Sequence, residues 1–305
     1  VDRFACISVF VAAVEEGSLV AAGRKFGLSA SMAGKYLGGL EAELGVRLLQ
    51  RSTRSLSITE AGQAYYARCK RILEEFDEAN QEASDNAATL RGRLRIAAPV
   101  SFGALHMGDL VAGFLAEHDQ VTAEVILDDH YTDLHTAGID VAIRIGRLPD
   151  SELVARRLAP CRMVFCAASA WLALHGTPQT PADLRDAPRL AFSGAVTAGD
   201  WSITDAARQV HIIAGPLRAQ ANNMQLLLSM AVAGLGIAYG PTFAFGPAIA
   251  EGRLVQLLPG CVAEELVVQA IYPSARHLPS KVRSFVDYLA GAFAGDPVWD
   301  DFQRV

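Results

Sequence analysis

The chain has 305 residues, 51% of them hydrophobic and 20% charged, which excludes a disordered or fibrous protein and leaves room for two or three compact units. A net charge of −6 argues against bulk electrostatic binding of nucleic acid, though not against one local basic surface. No run reaches the ~18 apolar residues of a membrane span and no charged-then-apolar leader opens the sequence, so a cytoplasmic chain without a membrane partner is expected.

Residues 4–14, "FACISVFVAAV", form an apolar helix that Glu15, Glu16 and Gly17 end. Ser18 caps a second helix, "LVAAGRKF", in which Leu19, Ala22 and Phe26 share a face. Gly27 breaks it, and Ser29 caps a third helix running to Leu44, with Met32, Tyr36 or Leu37, Leu40 and Leu44 as its inward stripe. Gly45 stops that helix. "VRLLQRSTRSLSI" then reads as two short strands around a basic turn, Arg51 to Ser55.

Two close helices joined by a Gly-containing turn suggest a helix-turn-helix, and the flap after them makes it winged. The second helix of such a module enters the major groove, and its early residues meet base edges. Here those are Ala30, Ser31, Gly34 and Lys35. Ser29 serves as cap and as phosphate contact, and either Arg24 or Lys25 reaches phosphate. Arg51 and Arg54 are the wing candidates, against a reading as solvated loop charge.

Thr59 caps a long helix over 59–90. Ile58, Ala61, Tyr65, Cys69, Ile72, Phe76, Ala79 and Ala83 recur at threes and fours, a stripe that a second copy would hide. Such pairing sets two heads apart and predicts a roughly palindromic site on double-stranded DNA.

From Gly92 the pattern becomes α/β. Strands are expected at 93–98, 121–127, 140–144, 163–167, 189–192, 210–213, 236–239 and 265–272, and helices at 103–117, 131–137, 181–186, 222–233, 243–249 and 279–294. That alternation implies mixed, largely parallel sheets under helices. We expect a DNA-binding domain over 1–58, a linker and dimerisation helix over 59–90, and a regulatory domain over 91–305. The regulatory domain has one lobe over 91–162 and 268–295 and another over 163–267.

"VAAVEEGSLVAAGRKFGLSASMAGKYLGGLEAELGVRLLQRSTRSLSITEAG" resembles the LysR-type transcriptional regulators almost end to end over residues 4–62. "RGRLRIAAPVSFG", "DVAIRIGRLPDSELVARRL", "AVAGLGIAYGP" and "YPSARHLPSKVRSFVDYL" look like landmarks of that family's sensor. The resemblance implies a two-lobed sensor of the type II periplasmic-binding-protein kind, a small-molecule effector, a homodimer assembling to a homotetramer, and RNA polymerase as a further partner. Ala30 and Gly34 depart from the family's frequent Gln and Ser. Gln makes a bidentate contact to adenine and Ala does not, so the base preference is not carried over.

For the effector, Pro99–Gly103 ends the first sensor strand, and by resemblance it lines the cleft. Ser101 offers its hydroxyl to a ligand or is a plain N-cap. Phe102 is a ligand-facing ring or core. Ile145 and Gly146 lie at a rim. Arg144 is an anion contact or pairs structurally with Asp140 or another acid. Phe192 and Ser193 end a second-lobe strand. Asn222 and Asn223 cap a helix or touch effector, and Tyr239 and Pro241 form another wall. A small acid, a phenol or a quinone-like compound fits this inventory.

No cofactor, metal or catalytic constellation is expected. "GLGIAYGP" lacks the dinucleotide and P-loop spacings. Asp128, Asp129, His130 and Asp133 cluster, but as a solvated turn in no known metal order. Of Cys6, Cys69, Cys161, Cys166 and Cys261, only Cys161 and Cys166 are near neighbours, and their spacing fits neither redox nor zinc motifs. Two rivals remain at this point. One is a bilobal binding protein or enzyme on residues 91–305. The other is an architectural DNA-binding protein with a vestigial sensor.

Overall fold

Three short polar side chains start the helices of the N-terminal unit. In the computed structural model, Asp2 accepts the amide of Phe4, Ser18 that of Ala21 and Ser29 that of Met32. They open α1 (Arg3–Glu15), α2 (Leu19–Lys25) and α3 (Ala30–Leu44). Gly45, at φ 70°, closes α3 in the left-handed conformation that glycine reaches without strain. The structure describes residues 2–51, 56–83, 90–130, 134–146, 153–193, 201–263, 265–273 and 278–304. The chain divides into two compact units, Val1–Ala88 and Thr89–Val305.

In the first unit α1 is buried on several faces, through Cys6, Val9, Phe10, Val11, Ala12 and Ala13. The inward stripe of α3 is Ala33, Leu37 and Leu40. Leu37 and Leu40 are buried as expected and Leu44 packs against the same core, whereas Met32 is 40% exposed and Ala33 takes the inward place. Phe26, expected to share an inward face, is 45% exposed because α2 ends before it.

The wing consists of β1 (Leu49–Arg51) and β2 (Leu56–Ile58), antiparallel, with Arg51 opposite Leu56. It is held at its base from two sides. Glu41 of α3 accepts the amides of Leu48 and Leu49 at 2.8 and 3.0 Å. The Thr59 hydroxyl donates to the Arg47 carbonyl at 2.8 Å, and the Thr59 amide to the Leu48 carbonyl at 3.0 Å.

α4 (Glu60–Ala83) follows, its first turn closed by Gly62 N–H donating to Thr59 Oγ1. Part of the expected dimer stripe is spent inside the unit. Cys69 is 1% exposed, the Tyr65 ring lies 5.8 Å from Phe10, and the Phe76 ring lies 4.4 Å from Phe4. α1 packs along α4 and covers that side. Ile72 and Phe76 stay 48% and 47% exposed.

The second unit is built around a strand longer than the sequence suggests. β3 (Gly92–Ala98) runs parallel to β4 (Val121–Leu127) and to β5 (Val141–Ile145). β6 (Leu153–Ala168) then continues for 16 residues, of which 163–167 were expected. Arg156, Arg157 and Pro160 interrupt its apolar alternation, which hides the first half. β7 (Arg189–Phe192), β8 (Trp201–Thr204), β9 (Val210–Ile213), β10 (Leu217–Ala221), β11 (Ile237–Pro241), β12 (Leu254–Leu257), β13 (Val262–Ala263) and β14 (Glu265–Pro273) complete the described strands. β8, β10, β12 and β13 were not anticipated, being only two to five residues long.

The main sheet runs β10-β7-β11-β6-β14-β5-β3-β4, with β12 also on β6. Residues 153–162 of β6 pair with β14, whereas its 163–168 part pairs with β11 and β12. β6 is thus the crossing between two lobes. β14 lies wholly against β5 and the first half of β6. These central pairings are antiparallel, so the sheet is mixed rather than largely parallel. β13, β8 and β9 form a separate small sheet.

A helical segment over 100–117 fills the first lobe, with a π-helical stretch at Gly103–Met107. The helix expected at 131–137 is described as Leu134–Ala137, and its first three residues lie outside the described residues. Ser169–His175 and the C-terminal 3-10 helix Val298–Arg304 were not anticipated. Phe102, Phe114, Phe165, Phe245 and Phe285 are the largest fully buried rings of this unit. Among the described residues no helix is long and apolar enough to cross a membrane.

Candidate functional site

The Ser29 cap fixes where α3 begins, and so which side chains its first turns present. Arg24, Ser29, Ala30, Ser31 and Lys35 are all exposed, gathered at the end of α2 and the start of α3. The Ser29 hydroxyl is engaged with the Met32 amide at 3.2 Å. Gly34 is half-buried and lines a shallow groove with Gly38, Glu41, Ala42, Gly45, Val46 and Arg47. Arg51 is the last residue of β1, and Arg54 lies outside the described residues. Sequence reasoning missed Glu41, which fixes the wing to α3, and the exposed Arg47 beside it. No local signal marks Glu41, since its partners lie seven and eight residues away.

In the second unit Ser101 is 6% exposed and is not an N-cap. Its hydroxyl oxygen accepts the Met224 amide at 3.1 Å. That bond joins the first-lobe helical segment to the start of the second-lobe helix Met224–Val232. Phe102 is fully buried, edge-on to Phe243 with centroids 5.2 Å apart. It is a core ring, and the reading as a ligand-facing ring is set aside on that ground.

Arg144 is 6% exposed and donates to the Asp128 carbonyl at 3.4 Å. Asp140 accepts the Arg95 amide at 2.7 Å. Ile145 and Gly146 are half-buried at the end of β5, and Gly146 takes φ 125°, which a side chain rarely allows. The Gly146 amide donates to the Val267 carbonyl, and its own carbonyl accepts from Gln269. Phe192 is half-buried. Ser193 is exposed, and its amide donates to Ala221. Asn222 is exposed, while Asn223 is the N-cap of the Met224–Val232 helix, accepting the Leu226 amide at 3.1 Å. Tyr239 is half-buried and stacked on Phe165 at 4.5 Å, and Pro241 is buried at the end of β11.

The acidic turn after β4 is tied locally. Asp128 accepts from the amide and ring of His130, and Asp129 accepts the Val100 amide at 3.0 Å, which steadies the residue before Ser101. Asp133 lies outside the described residues. Burial pushes the Cys161 thiol up to about 12, with the Asp300 carboxylate adding to it, and burial raises Cys166 further.

Residues 5–63 match the family model described as the bacterial regulatory helix-turn-helix protein, lysR family, and residues 87–294 match the LysR substrate binding domain. The chain belongs to the LysR family. An uncharacterized HTH-type transcriptional regulator of Haemophilus influenzae is 37% identical over 281 residues, covering 92% of this chain and 97% of the relative. The regulator PtxR of Pseudomonas aeruginosa is 34% identical over 288 residues, covering 94% and 92%. Among solved structures, the Vibrio cholerae virulence activator AphB matches with TM-score 0.61 at 26% identity, covering 94% of this chain and 98% of that one. CrgA of Neisseria meningitidis matches with TM-score 0.61 at 30% identity, covering 95% and 98%. This LysR-family chain is a DNA-binding transcriptional regulator with an effector-responsive C-terminal domain.

Proposed function

We propose that the regulator docks the first turns of α3 in the major groove and reads promoter DNA with Ser31 and Lys35. Ala30 and Gly34 allow close approach there, Arg24 and Ser29 contact phosphate, and Arg51 and Arg54 carry the wing to the backbone or minor groove. The carrying observation is the exposed cluster at the α2–α3 junction beside a wing bonded to α3 through Glu41. α4 pairs two chains through Ile72 and Phe76, giving a homodimer on an imperfect palindrome. Sensor domains join dimers into a tetramer, which meets RNA polymerase at the promoter.

The effector is a small molecule held between the lobes by Ser101 and the rim at Ile145 and Gly146 on one side. Phe192, Ser193, Asn222, Asn223, Tyr239 and Pro241 face it from the other. Arg144 acts through the Asp128 turn rather than by direct contact, because it is buried there. Ligand shifts the population of lobe closures, and with it the spacing of the DNA heads. The protein acts in the cytoplasm, by binding rather than by chemistry.

The test is a DNase footprint of the full-length protein on the DNA upstream of its own gene, at stated salt with nonspecific competitor. A long, two-part protection with a dyad is expected, and Lys35→Ala should weaken it about tenfold. Undiminished protection by a chain lacking residues 1–90 would sink the division of labour.

A further inference from the structure

The C-terminal 3-10 helix Val298–Arg304 follows the first-lobe helix Ser280–Ala292 but packs against the second lobe. A Cβ at Gly246, in the second-lobe helix Thr242–Ala250, would stand 2.5 Å from the Trp299 carbonyl and 3.1 Å from the Phe302 ring. The Trp299 indole lies between rings of both lobes. Its centroid is 4.7 Å from His106, 5.8 Å from Phe102 and 5.7 Å from Phe293, all first-lobe residues. On the other side it is 6.4 Å from Phe243 of the second lobe. His106 itself crosses the gap, its Nε2 donating to the Phe243 carbonyl at 3.2 Å.

Asp300, 5% exposed, pairs with Arg162. Arg162 is the point at which β6 changes lobes: it lies opposite Glu265 of β14, and the next residue, Met163, lies opposite Pro241 of β11. Continuing that antiparallel register sets Thr242 opposite Arg162. The C-terminal helix therefore reaches the crossing strand itself.

We propose that Trp299 and Asp300 are positioning residues, and that their helix is a strap setting the angle between the lobes. Among the described residues, two buried polar atoms of the strap, Trp299 Nε1 and Asp300 Oδ1, and Thr242 Oγ1 at the start of the Thr242–Ala250 helix that it packs on, have no hydrogen-bond partner. They oppose the docked strap, because each gains a partner if it lifts into water. Ring packing and the Arg162 pair favour it. The unpartnered atoms lower the cost of lifting the strap, and so the differential binding that a ligand needs in order to shift it. The consequence for the effector rests on the cleft reading above, whereas the strap does not.

The experiment is hydrogen–deuterium exchange on the full-length protein, read by mass spectrometry. The Met224 amide, bonded to Ser101 across the lobes, reports opening, and residues 282–289 of the first-lobe helix report global unfolding. Asp300→Asn should speed exchange over 223–228 about tenfold, the change expected from weakening one charge-assisted bond, and leave 282–289 unchanged. Trp299→Ala should do the same. Trp299→Phe keeps a ring in place and removes the unpartnered N–H that opposes docking, so it should exchange more slowly than the wild type over 223–228. Equal acceleration in both segments, or none over 223–228, would overturn the proposal. The expected pattern together with a promoter footprint that no small molecule alters would uphold the strap and count against the effector reading instead.

Discussion

Gly62→Ala decides whether the base of the wing is held as described. On helix propensity alone the change should stabilise α4 by up to ~1 kcal/mol. The structure reverses the sign. A Cβ at residue 62 would lie 2.1 Å from the Leu48 carbonyl oxygen and 2.9 Å from Ile58 Cγ1. The carbonyl is not free to retreat, since it accepts from the Thr59 amide and hydroxyl, and the Leu48 amide is held by Glu41. Overpacking costs ~1–3 kcal/mol and the loss of one or two hydrogen bonds about 1 kcal/mol each, so a net loss of ~2–3 kcal/mol follows. For a unit of this size that lowers the melting temperature by about 10–20 °C. Scanning calorimetry of the full chain should show the N-terminal transition fall while the sensor transition stays. Gly39→Ala is the control, because nothing lies within 4 Å of its Cβ position. It should raise the same transition by a few degrees, at ~1 kcal/mol. A rise with Gly62→Ala would refute the close approach of Leu48.

Glu41→Ala leaves the amides of two buried leucines without their acceptor, and should destabilise the N-terminal unit by ~2–4 kcal/mol, measured by urea unfolding. Glu41→Gln keeps an acceptor oxygen and should lose less than half of that. In the native protein at pH 8, iodoacetamide should label Cys261 and spare Cys161 and Cys166, whose raised pKa values keep them protonated until pH approaches 12. Rapid labelling of Cys161 before unfolding would contradict that burial. Ile72→Asp, at an exposed apolar position of α4, should raise the dimer dissociation constant at least about tenfold in sedimentation equilibrium, as a charge on a buried seam does.

What the sequence revealed follows from the range of the interactions involved. Ser18 and Ser29 read correctly as caps because a cap bonds an amide three residues on, within the window that a motif occupies. Gly45 read correctly as a stop because the left-handed residue is itself the signal. The first half of β6 did not read as a strand. Its two arginines and its proline are tolerated only because β14 supplies the pairing, and β14 begins over a hundred residues later. β10, "LRAQA", is an edge strand that does alternate, but over only five residues and with one leucine and two alanines as its apolar positions, too weak a signal to stand out. The α4 stripe is legible in the sequence, but not everything that covers it. Periodicity shows that a face is apolar and not what covers it, and Phe10 and Phe4 of the same chain cover part of it.

The same limit explains the effector cleft. Ser101 reads from sequence as a hydroxyl at a helix start, equally suited to capping or to ligand. The structure gives it to neither alone, because its oxygen accepts an amide from the opposite lobe. The Ser101 hydroxyl keeps its own proton to donate, so a ligand can accept from it while the Met224 bond stays in place. A ligand that displaces Ser101 must instead satisfy Met224 N–H, since an unpaired buried amide costs ~1–3 kcal/mol. On the proposed reading a carboxylate suits either arrangement, accepting from the hydroxyl or from the amide at the start of the Met224–Val232 helix, with no charged anchor required. This accounts for a cleft that, in sequence, offers serines and asparagines where an arginine would be sought. The buried arginine nearby, Arg144, is turned toward the Asp128 turn instead.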